Sequence, residues 1–355
     1  MLEKLENEQA QRIVGLDVPS YRQAYSDRMA WLMAYMAELA YLKYDAPSAD
    51  GELAVELLTR ALKRTKHGSV DKVIAAVRRR YDYDHDEARR ELSESLDQIG
   101  WALLDTFSTN ATQGFVAYGD LFAALAFRGT EADRIGDIKA DAKAVQTTCP
   151  TGGRVHSGFK DQYDDVASRV EQLLDRDEVK GKPLFIAGHS LGGAVATIAA
   201  RRLTADHRVA ACYTYGSPRV GTEHWVGQIK TPIYRVVNSA DPVPMVPLSG
   251  TATFWLAKAL RAVGRLVPWV GAALVWFGDW IERTMSCYAH AGNMRFLTNS
   301  KDGDLSQVEL LYTVGWGRRF RGALTGIRPA AKVLGDHGIA LYRRKMMSVA
   351  QRRNP

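Results

Sequence analysis

The sequence predicts an α/β protein: a central, mainly parallel sheet flanked by helices, with an N-terminal helical region and an apolar helical insertion. Three observations carry this. Short apolar runs at 183–187, 209–215, 232–238 and 293–297 alternate with helix-forming stretches, the pattern of a parallel sheet with crossover helices. The 355 residues are 46% hydrophobic and 25% charged, a globular composition long enough to bury a large core. Finally, residues 185–193 read FIAGHSLGG, an apolar run that stops at a serine between glycines and leads at once into AVATIAARRL. No self-similarity with a period of 20–50 residues is present, which argues against a solenoid.

The elements follow in chain order. The N-terminus, MLEKLENEQAQR, is charged and has neither an apolar core nor a small-residue cleavage site, so it does not read as a signal peptide. The expected location is therefore cytoplasmic or peripheral to a membrane, with leaderless export left open. Residues 21–44 are rich in Ala, Met and aromatics and predict a helix that packs on a core. Residues 52–98 mix charges with apolar residues at helical spacing and predict one or two exposed helices. Runs at 101–107, 114–119 and 121–129 are joined by short turns and predict an antiparallel entry into the sheet. A helix follows near 158–178, and another starts at Ser190. The division expected is a helical region at 1–98, packed on the core, and an α/β domain at 99–355 with an insertion at 250–285.

Net charge is +7, but residues 251–355 alone hold 16 Lys and Arg against 6 Asp and Glu. That basic third suits either solubility or an anionic surface such as lipid. Nucleic acid is a poor fit, since no basic–aromatic binding motif appears. Cys149, Cys212 and Cys287 are odd in number and widely spaced, without metal or redox spacing.

The serine is the chemical centre of the sequence. Gly188-His189-Ser190-Leu191-Gly192 fits G-x-S-x-G, and it sits between a predicted strand and a predicted helix as that motif requires. Such a turn is tight, and side chains at the glycine positions would strike the adjoining strand and helix. It lifts the Ser190 hydroxyl to the end of the sheet, beside the free N–H groups of the helix start. A serine needs a base to take its proton and a carboxylate to orient that base. In this kind of fold the chain order is serine, acid, histidine. Asp241 follows the run IYRVVNS and precedes Pro242-Val243-Pro244, although an aspartate there also caps turns. His290 and His337 both come later. His337, in a loop before a terminal helix, can be projected over the strand ends and fits the base better, with a structural role open to either.

Taken together, AFRGTE (126–131), VHSGF (155–159), GHSLGGAVA (188–196), YGSPRVG (215–221), NSADPVPMVP (238–247), YAHAGN (288–293) and DHGIALY (336–342) resemble the class 3 lipase family of α/β-hydrolases, in the family's order. The resemblance covers roughly 100–345. It implies Ser190 as nucleophile, Asp241 as acid, His337 as base and His290 as structural. Thr130 and the backbone N–H of Leu191 would form the oxyanion hole, with Arg128 structural. No metal or cofactor is implied.

Two segments depart from the secreted fungal members. EADRIGDIKADAK (131–143), where those members carry a short lid, is too polar to seal an apolar cleft. Residues 253–283 instead hold an apolar, Trp-rich stretch whose uncharged core, 266–278, is shorter than a bilayer span. Lys258, Arg261 and Arg265 share one helical face there, which suits the plane of a membrane interface. A lid over the site, a buried hairpin broken at Pro268 and a subunit contact are the other readings. The implied function is hydrolysis of lipid acyl esters, of triacylglycerol or phospholipid, through an acyl-enzyme on Ser190. One alternative gives this chemistry to an antibacterial phospholipase effector exported without a leader. Another is an inactive fold that serves as a membrane-binding module. The sequence is silent on oligomeric state.

Overall fold

The computed structural model describes residues 24–44, 84–109, 111–129, 146–203, 209–247, 250–266, 288–299, 304–312 and 335–354, with isolated positions at 275–276, 279, 314–315 and 317. Helix α1 (Asp27–Leu39) is capped by Ser26, and helix α2 (His85–Asp97) by Asp84. Three strands follow: β1 (Ala102–Ser108), β2 (Gln113–Tyr118) and β3 (Ala123–Phe127). Short β4 (Gln146–Thr148) and β5 (Arg154–His156) lead into α3 (Ser157–Leu174). Then come β6 (Leu184–His189), α4 (Leu191–Arg202), β7 (Val209–Tyr215), β8 (Gly221–Thr222), α5 (Glu223–Gly227) and β9 (Ile233–Asn238). The remainder is α6 (Gly250–Leu266), β10 (Tyr288–Ala289), β11 (Asn293–Leu297), β12 (Leu310–Leu311) and α7 (Ile339–Arg353).

Eight strands form one sheet in the order β1-β2-β3-β6-β7-β9-β11-β12. The five from β3 to β11 run parallel, and β1-β2 and β12 add antiparallel edges. A small second sheet, β10-β8-β5-β4, stands apart from it. The central strands are buried on both faces, as parallel strands covered by helices must be. Phe185, Ala187, Tyr213 and Tyr215 join the core under α1, α2 and α7. Their neighbours Ile186 and Cys212 point the other way, into the core under α3 and α4.

Helix α1 is shorter than the sequence run implied, because Ser26 takes the Met29 N–H and starts it late. Helix α2 is not simply exposed: Ala88, Leu92 and Leu96, one turn apart, are buried against the sheet. Across the sheet edge, the Arg295 guanidinium lies 4.4 Å from the Tyr25 ring centroid, 4.7 Å from Tyr312 and 5.4 Å from Tyr234. It thereby clamps the segment before α1 to β9, β11 and the chain after β12. Arg295→Ala should lower unfolding free energy by about 2 kcal/mol, the scale of a desolvated cation–π contact, measured as a urea midpoint shift at unchanged slope.

Candidate active site

The elbow forms at the end of β6, in the middle of the sheet. Ser190 has φ 56 and ψ −127, the one non-glycine residue with positive φ among those described. Its N–H donates to the Tyr215 carbonyl at 2.8 Å, and its carbonyl accepts from Gly193 at 3.0 Å. The flanking glycines are there for space. A Cβ on Gly188 would sit 2.2 Å from the Gly192 oxygen, and one on Gly192 would sit 2.4 Å from the Phe127 oxygen. The second contact shows how closely the exit of β3 presses on the first turn of α4. Leu191, as the first residue of α4, has no carbonyl one turn back for its N–H. Thr130 lies outside the described residues, as does 131–143. Its neighbour Gly129 abuts the elbow, where an added Cβ would lie 3.1 Å from the Ser190 Cβ.

Asp241 follows β9, and its carboxylate is saturated. Oδ1 accepts the Val243 N–H at 2.9 Å. Oδ2 accepts from His337 Nδ1 at 2.8 Å and from the Tyr342 hydroxyl at 2.6 Å. A carboxylate is an acceptor only, so the His337 proton resides on Nδ1 and Nε2 carries the lone pair. That Nε2 is buried and makes no hydrogen bond to a described residue. Gly216, directly after the carbonyl that holds Ser190, lies against this pair. A Cβ there would sit 2.6 Å from Asp241 Oδ2 and 3.0 Å from the His337 ring. Ser190, Asp241 and His337 are each no more than 3% exposed.

His189, between Gly188 and Ser190, ties the elbow to the histidine segment. Its Nε2 lies 2.6 Å from the His337 carbonyl and its Nδ1 lies 2.7 Å from the Tyr41 hydroxyl. The carbonyl can only accept, so Nε2 donates to it and a neutral ring accepts from Tyr41 at Nδ1. Burial, and then the charge of His337, hold its pKa well below the ordinary histidine value, which keeps the ring neutral.

The other candidates have different surroundings. His290 Nε2 lies 2.7 Å from the Pro244 carbonyl and so braces the acid loop. Arg128 donates to Gln113 Oε1 at 2.5 Å and lies over the Tyr41 ring. Arg219 donates to the Met245 and Pro247 carbonyls on the acid loop. On α6, Lys258 and Arg265 are exposed, and Arg261 pairs with Asp279 at 2.7 Å. Pro268 lies outside the described residues. Among the described residues, no three His, Cys, Asp or Glu are grouped to hold a metal ion, and no helix is long and apolar enough to cross a membrane.

Sequence reading named Ser190, Asp241 and His337, and the structure brings the last two into hydrogen-bond contact. It missed Tyr41, His189, Asn238, Tyr342 and Lys345, all of which bond to the triad candidates or their supports. His189, Asn238 and Tyr342 lay inside quoted motifs, but no role was read for them.

Residues 124–251, which hold β3, the elbow and the acid loop, match the family model for lipase (class 3). Secreted mono- and diacylglycerol lipase 1 of Fusarium solani is 41% identical over 110 residues, 29% of this chain and 33% of that protein. Toxin TseL of Vibrio cholerae is 35% identical over 108 residues, 30% of this chain and 16% of the toxin. The chain therefore aligns with well under two thirds of the length of these relatives. The crystal structure of a mutant form of MDLA from Penicillium cyclopium superposes with a TM-score of 0.51 at 21% identity, covering 88% of this chain and 93% of that one. That likeness is one of fold: a mainly parallel sheet flanked by helices. The elbow and the Asp241 loop both lie inside the matched segment, so the likeness to the class 3 lipase family is carried by residues 124–251, about a third of the chain.

Proposed function

We propose that the protein is a serine hydrolase that cleaves carboxylic esters of lipids. The observation that carries this reading is the buried His337–Asp241 pair, with its basic nitrogen unbonded, next to a strained serine on an elbow. Ser190 Oγ attacks the ester carbonyl carbon while His337 Nε2 takes the hydroxyl proton. The Asp241 carboxylate holds the imidazole and stabilises its charge. The oxyanion is met by the Leu191 N–H at the positive end of α4 and, on the family resemblance, by Thr130. His337 then returns the proton to the departing alcohol. A water molecule, activated by the same nitrogen, releases the acid from the acyl-enzyme. An alkyl fluorophosphonate should label Ser190 stoichiometrically and abolish release of fatty acid from a glyceride emulsion. Labelling elsewhere, with hydrolysis intact, would sink the assignment.

Helix α6 begins directly after the acid loop. It buries Thr253 and Ala257 and presents Phe254 (47% exposed), Lys258, Val263 (48%) and Arg265 outward. Apolar side chains flanked by cations suit an anionic lipid surface. Each of Lys258→Gln and Arg265→Gln should weaken sedimentation with phosphatidylserine vesicles by about fivefold, since one basic residue near such a surface contributes about 1 kcal/mol. Unchanged partition would leave α6 as packing.

The likeness to a bacterial toxin favours a second reading of purpose, with the same chemistry turned on a competitor's membrane lipids. Expression targeted to the periplasm of a test bacterium should then be lethal for the wild type and harmless for Ser190→Ala. An inactive membrane-binding module is disfavoured, since nucleophile, acid and base candidates are all present.

A further inference from the structure

We infer that Lys345 is a positioning residue for His337, acting through the side chain of Asn238. The inference rests on the reading of Ser190, Asp241 and His337 as the catalytic set. Lys345 lies on α7, two turns beyond His337, and is 2% exposed. Its Nζ donates to Asn238 Oδ1 at 2.6 Å and to the Thr298 carbonyl at 2.9 Å. An ammonium is a donor only, so it fixes which way the amide faces. The Asn238 Nδ2 is thereby aimed at the Asp336 carbonyl, 2.8 Å away, on the peptide bond that leads into His337. The Asn238 backbone N–H donates to the Tyr342 hydroxyl at 2.9 Å, and that hydroxyl donates to Asp241. One asparagine thus links the acid's partner to the base's own peptide group, and Lys345 sets its orientation. With the amide reversed, Oδ1 would face the Asp336 oxygen, two acceptors with no hydrogen between them.

As a filler of volume, a lysine here is a poor choice, because burying an ammonium is unfavourable. Burial draws its pKa from 10.5 down to about 8, against the pull of the Asp336 carboxylate. The other titratable groups nearby are already engaged. Asp241 is held by His337, Tyr342 and Val243, and Glu38 and Arg343 pair with each other on the α1 side. Above pH 8 the neutral amine keeps two hydrogens but loses charge assistance, so the grip on Asn238 weakens without vanishing. Stability runs the other way. The unfolded chain binds this proton more tightly than the folded one, so raising pH from 8 towards 10.5 favours the folded state through this group. A lysine that served stability alone would not produce a fall in kcat across that window.

The test is pH-stat hydrolysis of a soluble short-chain ester by wild type, Lys345→Met and Ser190→Ala, with circular dichroism at each pH. Lys345→Met should lower kcat about ten- to a hundredfold, the scale of a misplaced catalytic group, and leave KM nearly unchanged. It should also lack the decline in kcat that the wild type shows above pH 8. A folded Lys345→Met with wild-type kcat and pH profile overturns the inference. If that variant does not fold, the wild type decides. A decline centred near pH 8 with the folded signal retained supports the inference, and a flat profile overturns it. Hydrolysis surviving in Ser190→Ala would instead overturn the reading of the site itself.

Discussion

Ser190→Ala should reduce kcat for lipid ester hydrolysis by about 10⁴-fold or more, because no acyl-enzyme can form without the hydroxyl. The residual rate would come from the oxyanion donors and substrate binding alone. The fold should be untouched, since the backbone bonds of residue 190 to Tyr215 and Gly193 do not involve the side chain. A companion variant separates chemistry from strain. Ser190→Gly should be equally inactive and yet more stable than Ser190→Ala by roughly 1 kcal/mol, because glycine adopts φ 56 without the steric penalty that any Cβ incurs there. Chemical denaturation of the two variants measures that difference, and equal midpoints would mean the elbow holds no strain.

Asp241→Asn should have a comparable effect by another route, a loss of about 10⁴-fold in kcat with the geometry nearly intact. Asp241 Oδ2 accepts two hydrogens at once, from His337 and Tyr342. An asparagine turned with its NH₂ towards His337 would force the imidazole proton from Nδ1 to Nε2, and the base would be lost. Turned the other way, it keeps one acceptor for His337 but sets its NH₂ against the Val243 N–H, which now bonds to Oδ1 at 2.9 Å. Either arrangement leaves a buried donor unsatisfied. The pH–rate profile checks the claim. Activity in the variant should recover at high pH, where an external base can act, and parallel wild-type and variant profiles would count against the orienting role.

The parts of this site that could be read from sequence are those whose chemistry is local. The elbow is written in nine consecutive residues, because the steric demands at Gly188 and Gly192 arise within one turn. The parallel strands were legible for a similar reason: each is a run of five to seven residues, most of them apolar. The small second sheet was not, since strands of two or three residues are too short to show a period. The support around the triad was also hidden. Tyr41 meets His189 across 148 residues, and Tyr342 meets Asp241 across 101. Such pairs follow from tertiary packing, and nothing in the local composition of either partner marks them. Helix α2 misled in the opposite sense. Its many charges signalled exposure, although three small or aliphatic residues at four-residue spacing were enough to dock it.

The union of α1 with α7 bears on when the proposed catalytic set is completed. Glu38 and Arg343 pair across 305 residues, and the Tyr215 hydroxyl is anchored on the α1 backbone at Ala30. During synthesis the nucleophile and the elbow leave the ribosome well before residue 337, and α7 follows later still. Domains fold as their residues emerge, at roughly 5–20 per second. The nascent chain therefore carries Ser190 without His337 for about seven seconds or more, a time that follows from the 147 residues between them. Completion of the proposed Ser190–Asp241–His337 set is thus timed to the docking of α7 on α1, two helices some 300 residues apart in the chain.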